Sequence, residues 1–143
     1  MALLSDILKK RSPVVNVFGP NQVVAVAVRT MTERRVGAVL IVDSGQLVGI
    51  FSERDLLRRV YVLGRNAEQT LIRDVMTSDP ITSTPSDNRM SAIVKMQQHG
   101  CRHLPILVEG QVVDTLSIRD LLFDEIRERE TEIAELKRYI QGA

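Results

Sequence analysis

This chain carries one pattern twice. Residues 20–57, laid without gaps on residues 85–122, give twelve identities, among them Met31/Met96, Ile41/Ile106, Gly45/Gly110, Gln46/Gln111 and Asp55/Asp120. Ser52 opens SERDLL and Ser117 opens SIRDLL, each after a glycine turn and a short apolar run. A repeat of roughly 65 residues is longer than the ~20–50 residues of solenoid repeats, so each copy is expected to be a small αβ unit, not one layer of a stack. Two such units and short ends account for all 143 residues. Units this small are marginal alone, which predicts a shared buried interface.

In the first copy, 14–18 (VVNVF) is β-branched and is followed by Gly19-Pro20-Asn21, a strand and its turn. Over 23–34, Val24, Ala27, Val28 and Met31 recur at the spacing of one helix face. The runs 38–42 and 47–51 flank Asp43-Ser44-Gly45-Gln46, a hairpin pattern. Ser52 then starts a helix carrying Leu56, Leu57, Val60 and Leu63, which Gly64 suits as an end. The second copy predicts a strand at 81–84, a helix at 89–98, hairpin strands at 103–108 and 112–116 around Glu109-Gly110, and a helix from Ser117; a short helical turn is expected near 70–76. The order β-α-β-β-α therefore occurs twice, dividing the chain into repeats 1–64 and 65–129.

The last helix does not stop where its counterpart does. Helical pattern continues through Ile133, Leu136 and Ile140, with Ile126 on the same stripe and Glu128, Arg129, Glu132, Glu135 and Arg138 opposite. This predicts an extension over 130–143 and a helix of about 20 or more residues, near 30 Å long. The stripe could fold onto its own core. It extends beyond the unit whose core it would cover, which favours self-association.

Composition limits the chemistry. No stretch approaches the ~18 apolar residues of a membrane span, and MALLSDILKK lacks the ordered regions of a secretory signal, so a cytoplasmic chain is expected. One cysteine excludes an intrachain disulfide framework, and with two histidines it argues against a metal cluster. A net charge of +1 implies no strong basic field for nucleic acid, and no recognition helix is visible. There is no nucleophile paired with a base and no GxxxxGK loop, so no enzyme is expected.

The duplicated Ser-x-x-Asp has two readings. As a capping box, Ser52 or Ser117 accepts from the N–H three residues on while Asp55 or Asp120 reaches back, an arrangement common in proteins that bind nothing. As a binding motif, an ionised carboxylate at a helix start can accept from two adjacent ribose hydroxyls, with Arg54, Arg119 and free N–H groups available to a phosphate. Its recurrence at the exits of two equivalent hairpins favours the second reading. This is chemistry for holding a nucleotide, not for breaking one.

The repeat order, GQLVGIFSERDLL in the first copy, and DVMTSDPITSTP, HGCRHLPILVEG and SIRDLL in the second resemble tandem CBS domains, together one Bateman module. The resemblance covers all but about the last dozen residues and is to the small stand-alone CBS-pair proteins of bacteria and the plant CBSX type. It implies an α/β fold of two β-α-β-β-α repeats packed about a pseudo-two-fold, with two clefts between them. By matching position it implies one site of Ser117 and Asp120 with His103, Leu104, Pro105, Ile81 and Thr82. The other would join Ser52 and Asp55 with Ala38, Val39, Leu40, Val15 and Asn16. The function implied is a non-catalytic regulatory sensor of AMP, ADP, ATP or NAD, with no required cofactor, a homodimeric assembly and an effector protein that reads it. The alternative is a ligand-free scaffold that docks a redox or metabolic partner.

Several positions depart from the pattern. Leu40 stands where the second copy has Pro105, Asp114 where the first has Gly49, and Arg89 at a position that is usually apolar. Two unequal sites are therefore expected. Cys101 reads as a buried core thiol, His99 as a partner of its helix's last carbonyls, His103 as a candidate nucleotide contact, and Met31 and Met96 as core.

Overall fold

A computed structural model describes residues 2–142; residues 1 and 143, outer limits of the first repeat and of the C-terminal extension, lie outside the described residues. The elements run α1 (Leu4–Leu8), β1 (Val17–Phe18), α2 (Val24–Arg34), β2 (Ala38–Asp43), β3 (Gln46–Ser52) and α3 (Glu53–Asp55), which passes directly into a π-helical stretch, Leu56–Tyr61. A 3-10 turn at Ile72–Asp74 leads to β4 (Thr77–Ser78), α4 (Arg89–His99), β5 (His103–Val108), β6 (Gln111–Ser117) and α5 (Ile118–Gly142). Among the described residues, no helix is long and apolar enough to cross a membrane.

Both hairpins form as their turn residues require. Ser44-Gly45 and Glu109-Gly110 all have positive φ, the geometry of the tight turn whose twist suits antiparallel strands. Each hairpin also shifts register at the same place, between Ile41 and Val42 and between Ile106 and Leu107. In the first sheet the order is β1-β2-β3-β4, with β1 parallel to β2; in the second, β5 pairs with β6.

The first strands of the two repeats are shorter than the sequence predicts. The expected strand at 14–18 is confined to Val17–Phe18, and at its start the Val14 N–H donates to the Asp114 carboxylate instead of to a strand. The expected strand at 81–84 is reduced to a single parallel bridge between Ser83 and Ile106. Proline explains the second loss. In the first repeat the Leu40 N–H donates to the Asn16 carbonyl at 2.8 Å, and Pro105, at the matching place, has no N–H to donate. The helix after Ser52 also differs in part: its continuation is π-helical, Leu57 and Leu63 are exposed, and Val60 is the buried residue.

Packing interleaves the two copies. One core gathers Val24, Ala27, Met31, Val39, Ile41, Phe51 and Val60 with Ile72 and Val75, which lie beyond the first repeat in sequence. The other gathers Ala92, Met96, Leu104, Ile106, Leu116 and Leu121 with Leu4 and Ile7 of α1. Each core is thus closed by a segment from outside its own hairpin and helices. The pattern is itself repeated, since LLSDIL at 3–8 echoes LIRDVM at 71–76. A third cluster, Ala38, Leu40 and Ile50 against Leu47 and Val112, fills the contact between the copies.

Two polar anchors hold the second repeat. Arg89 is buried and pairs with Asp124 at 2.7 Å, with Glu128 at 2.6 Å and with Glu125, fastening α4 to α5. Asp114 is buried, and its Oδ1 accepts from Arg11 Nη2 at 3.1 Å and from the Val14 N–H at 2.9 Å. Its counterpart Gly49 is covered by Met76, whose Sδ would lie 2.5 Å from a Cβ built there. The Gly/Asp departure is therefore matched by a change of the covering side chain. Beyond Arg89's partners α5 stands away from the cores: Ile126, Ile133, Leu136 and Ile140 are exposed.

Candidate functional site

Two clefts open between the repeats, and each is built from the helix start of one copy and the opposing segments of the other. The first, a cavity of ≈ 390 Å³, joins Ser52, Arg54 and Asp55 to Thr77 and Ile81 and to the turn that runs from His99 to His103. The second, ≈ 970 Å³, joins Ser117, Arg119 and Asp120 to Arg11 and Val14 and to the strand entry from Arg35 to Ala38. Small-molecule sites occupy roughly 300–1,000 Å³, so both are large enough.

The capping reading of the duplicated motif holds in both copies. The Ser52 N–H donates to Asp55 Oδ2 at 2.9 Å and the Asp55 N–H to Ser52 Oγ at 3.3 Å. The same exchange joins Ser117 and Asp120, at 2.8 and 3.1 Å. Capping uses one carboxylate oxygen, and the two aspartates differ in the other. Asp55 Oδ1 accepts from Thr77 Oγ1 at 3.1 Å, and the side chain is 8% exposed. Asp120 takes Arg11 Nη1 on the oxygen already used by the cap, at 2.9 Å, and its Oδ1 accepts from no described residue. Burial pushes the Asp120 carboxyl up, but the Ser117 N–H and Arg11 outweigh it and hold the carboxyl below its ordinary range. It is an ionised acceptor with one oxygen open.

His103 stands in the partition, bordering both cavities. The absent side chain of Gly37 makes room for it: a Cβ there would meet the imidazole at 3.1 Å and Glu53 Oε1 at 3.4 Å. Burial pushes the His103 pKa below its ordinary value, with help from Arg102 and against the pull of Glu53 and Asp120. A neutral imidazole there can offer one donor and one acceptor.

The grouping of residues differs from the sequence expectation. Ile81 borders the Asp55 cleft, not the Asp120 cleft, and Ala38 borders the Asp120 cleft, not the Asp55 cleft. The reason is that the copies face each other, so each helix start meets the other copy's strands. Val39, Leu40, Leu104 and Pro105 are buried and line neither cavity; Val39 and Leu104 face the two cores and Leu40 the contact between copies. Asn16 is buried, with Oδ1 accepting from Arg34 Nη1 at 2.5 Å, and Thr82 uses its carbonyl to accept from Lys95 Nζ at 2.6 Å. Val15 is 38% exposed, and none of these three borders a cleft.

Other side chains at the clefts were not singled out by sequence: Glu53, Arg59, Thr77, Arg102, Arg11 and Arg35. Arg35 did leave a signal, since its duplicate position holds glycine. Cys101 is half-buried at the first cleft, against the second core, and burial raises its thiol pKa, which suits an inert thiol. His99 Nδ1 lies 2.9 Å from the Lys95 carbonyl at its helix end.

Comparison with known proteins bears on this arrangement. The CBS domain family matches residues 4–62 and 72–124. The chain is 36% identical over 121 residues to the mitochondrial CBS domain-containing protein CBSX3 of Arabidopsis thaliana, covering 81% of this chain and 59% of that protein. To the CBS domain-containing protein YhcV of Bacillus subtilis it is 28% identical over 123 residues, covering 86% and 87%. It spans 20% of the length of Arabidopsis CBSCBSPB2, to which it is 41% identical over 105 residues.

Among solved structures, the CBS domain NE2398 superposes with a TM-score of 0.82 at 30% identity, covering 87% of this chain and 98% of that one. The CBS domain protein PAE2072 from Pyrobaculum aerophilum, complexed with AMP, gives 0.74 at 25%, covering 83% and 89%. The two matched spans begin at α1 and at the 3-10 turn, the two segments that close the cores, and run past both Ser-x-x-Asp helix starts. Both copies are therefore the same unit in sequence, packing and cleft construction, and this chain belongs to the CBS domain family as a tandem pair like YhcV.

Proposed function

We propose that this protein is a non-catalytic regulatory sensor that binds an adenine nucleotide in the clefts between its two CBS repeats. The observation that carries the reading is Asp120: an ionised carboxylate at a helix start, facing a large cavity, with Oδ1 open to a ribose hydroxyl. Arginines on the same wall suit a phosphate, and AMP is the ligand of the similar protein PAE2072. Ser117, Arg119, Asp120, Ala38 and His103 would form one site, and Ser52, Arg54, Asp55, Ile81 and His103 the other. AMP, ADP, ATP and NAD are the ligand class. Binding shifts the relation of repeats or subunits only by its differential affinity for the two states, and an effector protein reads the result. The exposed stripe of α5 supports a homodimer.

A second reading has one observation behind it. Asp55 and Asp120 already accept internal donors, Thr77 and Arg11, as a ligand-free scaffold would arrange them. A thermal-shift panel with AMP, ADP, ATP and NAD separates the two. Ligand at 100 times its dissociation constant adds about 2.7 kcal/mol, and the double variant Asp55→Asn with Asp120→Ala should abolish the shift while the chain stays folded. No shift with any nucleotide would leave the scaffold reading, and a shift that survives the double variant would overturn the assignment of the nucleotide to these two carboxylates.

A further inference from the structure

We propose that the two clefts are sorted by charge: the Asp120 cleft takes the polyphosphate form of the nucleotide, and the Asp55 cleft a form with a single phosphate. This rests on the adenine-nucleotide reading and adds which phosphate chain each site accepts. The Asp120 cleft is bordered by six lysine and arginine side chains against three carboxylates, the Asp55 cleft by three against three.

The cations also differ in what they are free to do. At the Asp55 cleft, Arg54 Nη1 donates to the Gly100 carbonyl at 2.6 Å and Arg59 Nη1 to the Met76 carbonyl at 2.6 Å. Both are held by backbone; the third, Arg102, borders both clefts and so does not distinguish them. At the Asp120 cleft, the side chains of Arg35, Arg119 and Arg127 make no hydrogen bond or ion pair with any described residue. Three uncommitted guanidinium groups that border this cavity alone form an anion trap, because each can grip phosphate oxygens with paired N–H donors.

Backbone geometry at Arg35 gives a separate reason. Arg35 ends α2 with φ 55°, and its duplicate Gly100 ends α4 with φ 65°. The left-handed conformation is relaxed for glycine and unfavourable for a residue with a Cβ. The first repeat therefore places an arginine where the fold prefers glycine, and that arginine borders the cleft richest in cations. The equivalent wall of the Asp55 cleft is Gly100, with no charge. Size agrees, since the cavity at Asp120 is the larger.

The test is isothermal titration of the full chain with AMP, ATP and inorganic tripolyphosphate, for the wild type, Arg35→Gly and Arg127→Ala. ATP should bind about tenfold or more tighter than AMP at low salt, and the advantage should shrink as salt rises. Each variant should weaken ATP by about tenfold, the factor carried by one charge-assisted hydrogen bond, and leave AMP within about twofold. Arg35→Gly relaxes the backbone, so a folding defect cannot explain its loss. ATP no tighter than AMP, or equal losses for both ligands, overturns charge sorting while leaving the adenine reading intact. If no nucleotide binds but tripolyphosphate does, and needs Arg35 and Arg127, the polyphosphate site stands and the adenine reading fails. If neither ATP nor tripolyphosphate binds, the charge-sorting inference fails.

Discussion

Exchanging the Asp114–Arg11 pair for the glycine and methionine that the first repeat uses distinguishes a matched substitution from two independent ones. The Asp114 side chain is 3% exposed and that of Arg11 19%. Asp114 Oδ1 accepts from Arg11, from Val14 N and from Thr115 N at 2.7 Å. Asp114→Gly alone removes all three acceptor contacts and leaves a largely buried guanidinium with Asp120, a cost of about 3 kcal/mol. Arg11→Met alone leaves a buried carboxylate on backbone donors, at about 2–3 kcal/mol. The double variant contains no buried charge there, and methionine can cover glycine as Met76 covers Gly49. What remains is the two N–H groups of Val14 and Thr115 without their acceptor and the entropy of a strand glycine, about 2–3 kcal/mol together. The singles therefore exceed the double by about 3 kcal/mol, a coupling at the top of the range for contacting residues. Glycine is needed at 114, since a Cβ at the matching position of the first repeat would lie 2.5 Å from the methionine sulfur. Urea denaturation of the four proteins measures the cycle. A double variant whose cost equals the sum of the singles within about 0.5 kcal/mol would refute the matched-pair argument.

Two further outcomes are expected. His103 has a folded pKa below its ordinary value of about 6.5, so the unfolded chain takes up a proton that the folded chain resists. Its stabilising contribution is then fully present above about pH 6.5 and falls as pH drops toward the folded value. Urea midpoints at about pH 7.5 and 5.5 should differ less for His103→Gln than for the wild type; equal differences would mean that the imidazole charges freely. For α5, truncation after Glu130 removes exposed residues, so the unfolding midpoint should hardly change while the light-scattering mass falls. An unchanged mass would mean that Ile133, Leu136 and Ile140 do not form the dimer contact.

Much of the fold is legible in the sequence because local chemistry fixes it. The hairpins follow from Ser44-Gly45 and Glu109-Gly110, which accept positive φ, and the long helix follows from an unbroken apolar stripe with no proline and no glycine before Gly142. Tertiary choices are harder to read. The motif identifies Asp55 and Asp120, but not that Ile81 borders the first and Ala38 the second, because that depends on how two copies face each other. The Asp114–Arg11 pair spans the length of the chain and leaves no periodic trace. The echo of LLSDIL in LIRDVM was there to be found, but it is offset from the main duplication by an insertion, and a gapless comparison passes over it. Pro105 carries a local signal for the missing strand at 81–84, since it has no N–H to give, but which segment lies beside it is again a tertiary fact.

The interleaved cores impose an order on synthesis. Leu4 and Ile7 are made before every other member of their core, and the surface that buries them is completed only by Leu121. At about 5–20 residues per second, α1 waits on the order of ten seconds with its apolar face unclaimed. The other core needs only Ile72 and Val75 and can close while the second hairpin is still unmade. α1 therefore precedes its core in synthesis and docks only after Leu121 is made, and in the interval its apolar face is open to a chaperone.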